Sequence, residues 1–299
     1  MKGRSAVPRC DGNEGATGTA TLSNLAGNAV LLIACAYFLV PLLWLVLAAS
    51  KQSGALFSSP GFGWSGRFSL FSNVKEAFTY QGGIYAWWLF SSAVYSLGAS
   101  TVGCLVGAMA GFALAKYDFP GRRLVFGLVI SGVLVPATAL VIPLYLELNR
   151  LHLVNTYWAV LLPSMFNPFS VYISRLFAAQ AIPDALLDAG RVDGAKEGRV
   201  FWSVALPLMR PVLVAAFSFQ FVAVWNNFFL PLVMDTSARI YPVVLGLFEW
   251  NIYTQRSGAP PFIFSAVLAG SLIAFLPLVT GFLFLQRSLR RGLSLGAVR

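Results

Sequence analysis

Apolar residues in this chain gather into long uncharged runs. From Ala77 to Ala115 there is no Asp, Glu, Lys or Arg, and the same holds from Leu124 to Leu146. A helix needs about 20 apolar residues to cross a bilayer core of about 30 Å. Six runs meet that length and predict six helical spans: Leu25–Ala49, Leu89–Ala115, Leu124–Leu148, Leu153–Ile173, Pro211–Met234 and Phe262–Leu285. The expected class is all-α, a polytopic membrane protein with loops near 50–88, 116–123, 149–152, 174–210 and 235–261 and a tail from Gln286 to Arg299. Residues 1–24 read as a disordered cytoplasmic tail. Residues 25–299 read as one six-helix transmembrane domain with a polar loop at about 175–210.

Prolines interrupt several runs: Pro41, Pro136, Pro143, Pro163, Pro168, Pro231 and Pro277. Each removes an intrahelical hydrogen bond and kinks the helix, which a bilayer tolerates only where neighbouring helices or water satisfy the freed carbonyl. The second run is rich in small residues, with Gly98, Ala99, Ser100, Gly103, Gly107, Ala108, Ala110 and Gly111. Gly103 and Gly107 are four apart, a spacing that permits close helix contact. Plain bundle packing explains these residues; kinked helices that move are the sharper reading.

Composition agrees with the pattern. Of 299 residues 58% are hydrophobic and 11% charged, with a mean hydropathy of +0.73. Soluble domains are about 25% charged, so the composition disfavours an ordinary water-soluble enzyme, and disorder is excluded because it needs the opposite composition. The net charge of +10 suits basic residues flanking membrane spans; a nucleic-acid surface would need a folded soluble face, for which no segment is long enough. With the N-terminus in the cytoplasm, 15 of the 21 Lys and Arg fall inside. The six outside are Lys51, Arg67, Lys75, Arg150, Arg239 and Arg256. The asymmetry orients both termini inward.

Much catalytic chemistry is missing. There is no GxxxxGK[ST] loop and no HExxH pair, so neither a P-loop nucleotide site nor that zinc site is encoded. The single histidine, His152, reads as a surface residue beside Arg150, and no GxSxG elbow or paired intramembrane carboxylates occur. Cys10, Cys35 and Cys104 lack CxxC spacing and read as small hydrophobes. No metal or cofactor is expected on this chain. Glu147 and Asp235 sit at run ends; none lies mid-run, which disfavours a proton relay. The N-terminal run lacks a small-x-small cleavage site and reads as an uncleaved span.

The loop from Arg175 to Arg210 is too polar to enter the bilayer and too short for a domain. Pro183 suits a first helical turn, Asp184 follows where the dipole favours negative charge, and Leu186, Leu187 and Ala189 form a small apolar face. Gly194 is placed to supply the positive φ of a turn. A second stretch resumes near Lys196, with Val200, Phe201 and Val204 at helical spacing, before Pro207 and Pro211 redirect the chain. Such a helix–turn–helix lies on lipid headgroups or docks a cytoplasmic partner; the acids Asp184, Asp188, Asp193 and Glu197 disfavour anionic lipid as its main contact.

This loop resembles the E-A-A-x3-G-x9-I-x-L-P signature of bacterial ABC-importer permeases. Asp188-Ala189-Gly190 is followed by Asp193-Gly194-Ala195 and then by Val204-Ala205-Leu206-Pro207 at the signature spacing. Asp replaces Glu, Gly replaces the second Ala, and Val replaces Ile. The resemblance runs along most of the chain and is closest to the second permease of maltose-type sugar importers. Asn73–Phe78, Asp118–Arg123, Ile142–Tyr145, Leu153–Tyr157, Trp225–Phe228, Pro231-Leu232, Gln286-Arg287 and Gly292–Val298 each resemble a segment of that branch, in order. His152 stands where the branch usually has Gly.

The resemblance implies the ABC type I importer permease fold in a bacterial or archaeal plasma membrane. It implies a second homologous permease, two ATPase subunits that bind ATP and Mg, an extracytoplasmic solute-binding protein and a sugar, of di- or oligosaccharide size. Asp188, Ala189, Gly190, Asp193, Gly194, Ala195, Leu206 and Pro207 are then the ATPase-coupling residues. Gln220, Asn226 and Asn227 are candidates for the substrate path, or interhelical hydrogen-bonding groups. Tyr241, Phe248, Trp250 and Tyr253 face either the binding protein or the bilayer interface. A glycerol-phosphate ester or polyol is the alternative solute; an intramembrane enzyme or a secondary transporter leaves the loop unexplained.

Overall fold

The computed structural model describes residues 15–63 and 67–294. Among these there is no strand. The helices are α1 (Gly15–Ala49), α2 (Ser53–Ser58), α3 (Leu70–Thr79), α4 (Ile84–Lys116), α5 (Arg122–Leu134), α6 (Val141–Arg150), α7 (Tyr157–Met165), α8 (Pro168–Ala181), α9 (Asp184–Val192), α10 (Glu197–Val200), α11 (Leu206–Leu208), α12 (Arg210–Trp225), α13 (Phe229–Met234), α14 (Val243–Thr254) and α15 (Ile263–Ser294). Residues 1–14 of the N-terminal tail and residues 295–299 of the C-terminal tail lie outside the described residues.

Among the described residues three helices are long and apolar enough to cross a membrane on their own: Gly27–Ala49, Ile84–Lys116 and Ile263–Phe284. The other apolar runs are broken outright, where the prolines predicted only kinks. The run Leu124–Leu148 divides into α5 and the segment Ala137–Arg150, which meet at 98°. Val135 and Pro136 are extended there, with ψ near 124° and 123°, because a proline disfavours helix in the residue before it and lacks the N–H to continue the ladder. The run Leu153–Ile173 breaks at Phe166–Asn167. Pro168 opens α8, and Asn167 caps it by accepting from the N–H groups of Phe169 and Ser170 at 3.0 and 3.4 Å. The run Pro211–Met234 breaks between α12 and α13. Pro41 and Pro277 are accommodated inside continuous helices.

Helix α4 is the axis of the bundle and packs chiefly on α8 and α12. The small residues make this possible. A Cβ on Gly107 would lie 2.6 Å from the Ser170 Cβ, and one on Gly111 would lie 2.6 Å from the Arg175 backbone nitrogen. At one end of α4, Tyr85, Trp88, Trp225 and Trp250 form an aromatic core. At the other, Phe112 packs with Phe201, Leu187 and Val200. The apolar side chains Val30–Ile33, Tyr37 and Phe38 of α1 are exposed; among the described residues α1 packs near its C-terminal end, where Ala48 and Ala49 are buried against α15.

Candidate functional site

The segment from Ile182 to Met209 forms the end of the bundle at the C-terminus of α4. Pro183 is the extended cap of α9, and Asp184 is its first helical residue. Lys116, at the end of α4, donates to the Ile182 carbonyl at 2.6 Å and to Asp184 Oδ1 at 2.7 Å. The Lys116 side chain is 6% exposed, so the loop is tied at its root to the central helix.

Helix α9 ends in a Schellman turn. The Gly194 N–H donates to the Arg191 carbonyl at 2.9 Å and the Ala195 N–H donates to the Gly190 carbonyl at 3.0 Å. Gly194 has φ of +82°, the left-handed conformation that this motif requires. Asp193 precedes it as the helix C-cap. The turn folds α10 back so that Val200 and Val204 lie under Gly190, where a Cβ would meet their methyl groups at 3.6 and 3.9 Å.

A charged clamp holds the two short helices together. Arg191 donates to Asp188 Oδ1 at 2.8 Å, and to Glu197 Oε1 and Oε2 at 2.9 and 3.3 Å. Tyr117 donates to Glu197 Oε2 at 2.6 Å. These bonds hold the Glu197 carboxyl pKa below its ordinary value, the Arg191 bond first, and push the Arg191 guanidinium pKa up, the Glu197 bond first and the Asp188 bond next. Asp188 therefore points into the clamp as well as toward solvent. Arg191, Tyr117 and Lys116 were not among the expected coupling residues; the three-residue spacing of Asp188 and Arg191 was the available signal.

The apolar face of α9 is divided. Leu187 is buried at 1% exposure, whereas Leu186 is 46% and Val192 87% exposed, and Ala189 is exposed with them. The face expected to bury Leu186, Leu187 and Ala189 together buries only Leu187. Leu186, Ala189 and Val192 are spaced by three and leave an apolar strip on the outer side of the loop. After α10 the helix widens into a π-turn at Phe201–Ala205. Leu206 is partly buried and Pro207 exposed; the helix from Glu197 to Leu208 then meets α12 at 78°, with Met209 buried at the corner.

The polar residues of α12 and its exit occupy different surroundings. Gln220 is 2% exposed, and its Nε2 donates to the carbonyls of Ala99 at 3.1 Å and Ser164 at 2.7 Å, clasping α4 and α7. Asn226 is exposed, donates to the Val222 carbonyl of its own helix at 2.9 Å, and lines a cavity of about 390 Å³ with Trp225, Phe248 and Asn251. Asn227 is half-buried. The three do not converge on one surface. Of the aromatics of the 235–261 loop, Trp250 is in the core: it lies 4.6 Å from Trp88 and donates to Gln81 Oε1 at 3.1 Å. Phe248 is exposed beside Phe228.

Residues 103–295 match the family described as binding-protein-dependent transport system inner membrane component. The chain is 35% identical over 262 residues, 87% of its length and 90% of the relative's, to the arabinooligosaccharides transport system permease protein AraQ of Halalkalibacterium halodurans. It is 31% identical over 206 residues, 69% of its length and 71% of the relative's, to the sn-glycerol-3-phosphate transport system permease protein UgpE of Yersinia enterocolitica. Its fold resembles a chain of a bacterial ABC transporter involved in the import of the polysaccharide alginate, with a TM-score of 0.78 at 16% identity, covering 90% of this chain and 97% of that one.

Proposed function

This chain belongs to the family of binding-protein-dependent transport system inner membrane components, and on that premise we propose that it imports a di- or oligosaccharide, coupled to a cytoplasmic ATPase through the Asp188–Gly194 loop. As a member it is a multi-pass inner-membrane transport subunit and not an enzyme, and it works with a solute-binding protein and an ATPase. The proposal adds six spans in one domain over residues 25–299, a tail over residues 1–24, both termini in the cytoplasm, a second homologous permease and two ATPase subunits that hold the ATP and Mg. The broken apolar runs are then spans whose bends line a path, the setting in which irregular backbone is tolerated in a bilayer.

One observation carries the coupling role. Helix α9 presents Leu186, Ala189 and Val192 outward while its root is fixed to α4 by buried Lys116. An apolar strip with acids at its edge, held rigidly on the central helix, transmits a push from a docked subunit into the bundle. Two states of that docking, each favoured by a different ATPase conformation, are what coupling requires. Asn226 and Asn227 remain the substrate-path candidates, with amides that suit sugar hydroxyls; Gln220 contributes through the helix seam.

The saccharide reading is supported by the relation to the arabinooligosaccharide permease. The glycerol-phosphate permease relative keeps a phosphate ester as the second reading; against it, no arginine lies within any of the six apolar runs. The test is purification of the tagged complex, cross-linking from Val192→Cys, and uptake by reconstituted vesicles. Cross-links to a P-loop ATPase together with arabinooligosaccharide uptake support the proposal. Cross-links only to lipid overturn the coupling role, and uptake of sn-glycerol 3-phosphate alone overturns the sugar.

A further inference from the structure

The turn between α4 and α5 carries an arginine cluster that the coupling loop does not use. A cavity of about 720 Å³ is lined by Asp118, Phe119, Gly121, Arg122, Arg123 and Arg175. Three guanidiniums share it with one carboxylate. Arg122 pairs with Asp118 and also donates to the Ala115 carbonyl at 3.3 Å. Arg175 is held from two sides: its Nε donates to the Leu114 carbonyl at 3.4 Å, and its guanidinium lies 3.8 Å from the ring centre of Phe126. Phe126 in turn stacks on Tyr172. Exposed Arg123 makes no ion pair among the described residues. Helix α5 opens here from Gly121 without a side-chain cap, so its first N–H groups add a partial positive charge.

Helices α4, α5 and α8 also enclose an apolar groove one to two turns deeper. It is about 340 Å³ and is lined by Val106, Val125, Leu128, Val129, Phe166 and Val171, among others. Leu124 and Leu128 are 69% and 64% exposed, and no residue of α5 is buried. Thus the α5–α8 seam has a basic mouth at one end and an apolar trough above it, over a rise of about 8 Å for the five residues from Arg123 to Leu128. Aqueous phosphate has no use for the trough, and a purely apolar occupant has no use for the arginines.

We propose that this seam binds one anionic glycerophospholipid, its phosphodiester among Arg122, Arg123 and Arg175 and an acyl chain along Val125, Leu128 and Val171. Guanidinium–phosphate bonding is charge-assisted and directional, and basic pockets between spans at the cytoplasmic side select such headgroups. The proposed topology above sets only the leaflet; the site itself follows from the seam. Because Arg175 lies on α8, which runs into the coupling loop through Ile182, an occupied seam braces the helix that leads to the docking surface.

The experiment is native mass spectrometry of the complex purified with its partner subunits, titrated with phosphatidylglycerol in detergent and scored for bound lipid. Each arginine near a membrane surface contributes about fivefold in affinity for an anionic headgroup. Arg123→Gln is therefore expected to weaken retention about fivefold and the Arg122→Gln, Arg123→Gln double variant about thirtyfold. Arg150→Gln, exposed at the end of α6, should leave retention unchanged. Leu128→Gln should weaken phosphatidylglycerol but not soluble glycerol 3-phosphate. The proposal is overturned if the double variant retains phosphatidylglycerol like the parent, if soluble glycerol 3-phosphate displaces it with equal affinity, or if Leu128→Cys cross-links to the second permease instead of to a lipid photoprobe.

Discussion

Two residues adopt helix-ending turns of the same geometry with different side chains. Gly194 closes α9 at φ +82°, and His152 closes α6 at φ +56°; after α6, the Leu153 N–H donates to the Leu148 carbonyl and the His152 N–H to the Asn149 carbonyl. A Cβ in this region costs roughly 1–2 kcal/mol, and glycine's greater freedom in the unfolded chain returns about 0.5–1 kcal/mol of that. His152→Gly should therefore raise unfolding free energy by about 0.5 kcal/mol, read as a small rise in the thermal midpoint of the purified complex. At Gly194 nothing lies within 4 Å of an added Cβ, so any penalty there is conformational and not steric. Gly194→Asn, which tolerates the left-handed region, should retain the ATPase on purification; Gly194→Val should lose stability by about 1–2 kcal/mol and release it. Equal behaviour of the two variants would remove the turn from the coupling argument.

At the scale of elements, α9 and α10 are too short to persist alone, since isolated helices below about 12 residues are marginal in water. Their pairing depends on Leu187 and Val200 beneath and Arg191 above. Arg191 is exposed, and surface ion pairs contribute little to stability, so Arg191→Gln should leave stability nearly unchanged. Its expected effect is on transmission: more ATP hydrolysed per sugar transported, with assembly unchanged. Arg191→Lys, which cannot bond two carboxylates in a fixed fork, should fall between. An unchanged transport-to-hydrolysis ratio in Arg191→Gln would show that the clamp is not on the path. Much of this element was legible beforehand: Asp184 and Gly194 carry standard start and stop signals, and Gly194 has the φ expected of it. The clamp was not, because Tyr117 and Lys116 are remote in sequence from Glu197 and Asp184. The breaks at Val135–Pro136 and Phe166–Asn167 were marked by prolines, but hydrophobic length alone does not distinguish a kink from a bend of 98°. Trp250 read as a surface aromatic because burial against Tyr85 and Trp88 is a tertiary outcome.

Across the whole molecule, the bundle end opposite α9 and α10 turns on a buried acid. Asp235, the first residue beyond α13, is 4% exposed. Tyr95 Oη lies 3.5 Å from its Oδ2 and donates at 2.9 Å to the Ile240 carbonyl; Oδ1 has no partner. Asn155, in the turn after α6, accepts from the N–H groups of Thr236 and Ser237 at 3.0 and 2.8 Å, and its own N–H donates to the Met234 carbonyl. This corner joins α4, α13 and the turn before α7, about 25 Å along α4 from Phe112. With no cation beside it among the described residues, burial raises the Asp235 pKa from 3.8 to about 7; ionisation leaves a charge poorly solvated and half unpaired. The native state then holds a proton that the unfolded chain has lost between about pH 4 and 7, so unfolding free energy falls as pH rises through that window and levels off above it. Asp235→Asn, which keeps the shape without the charge, should flatten the dependence and raise stability most above pH 7. Thermal midpoints of the two complexes across that range decide the matter. Parallel profiles would mean that Asp235 is solvated in the assembly, and that this corner opens where the isolated bundle holds it shut.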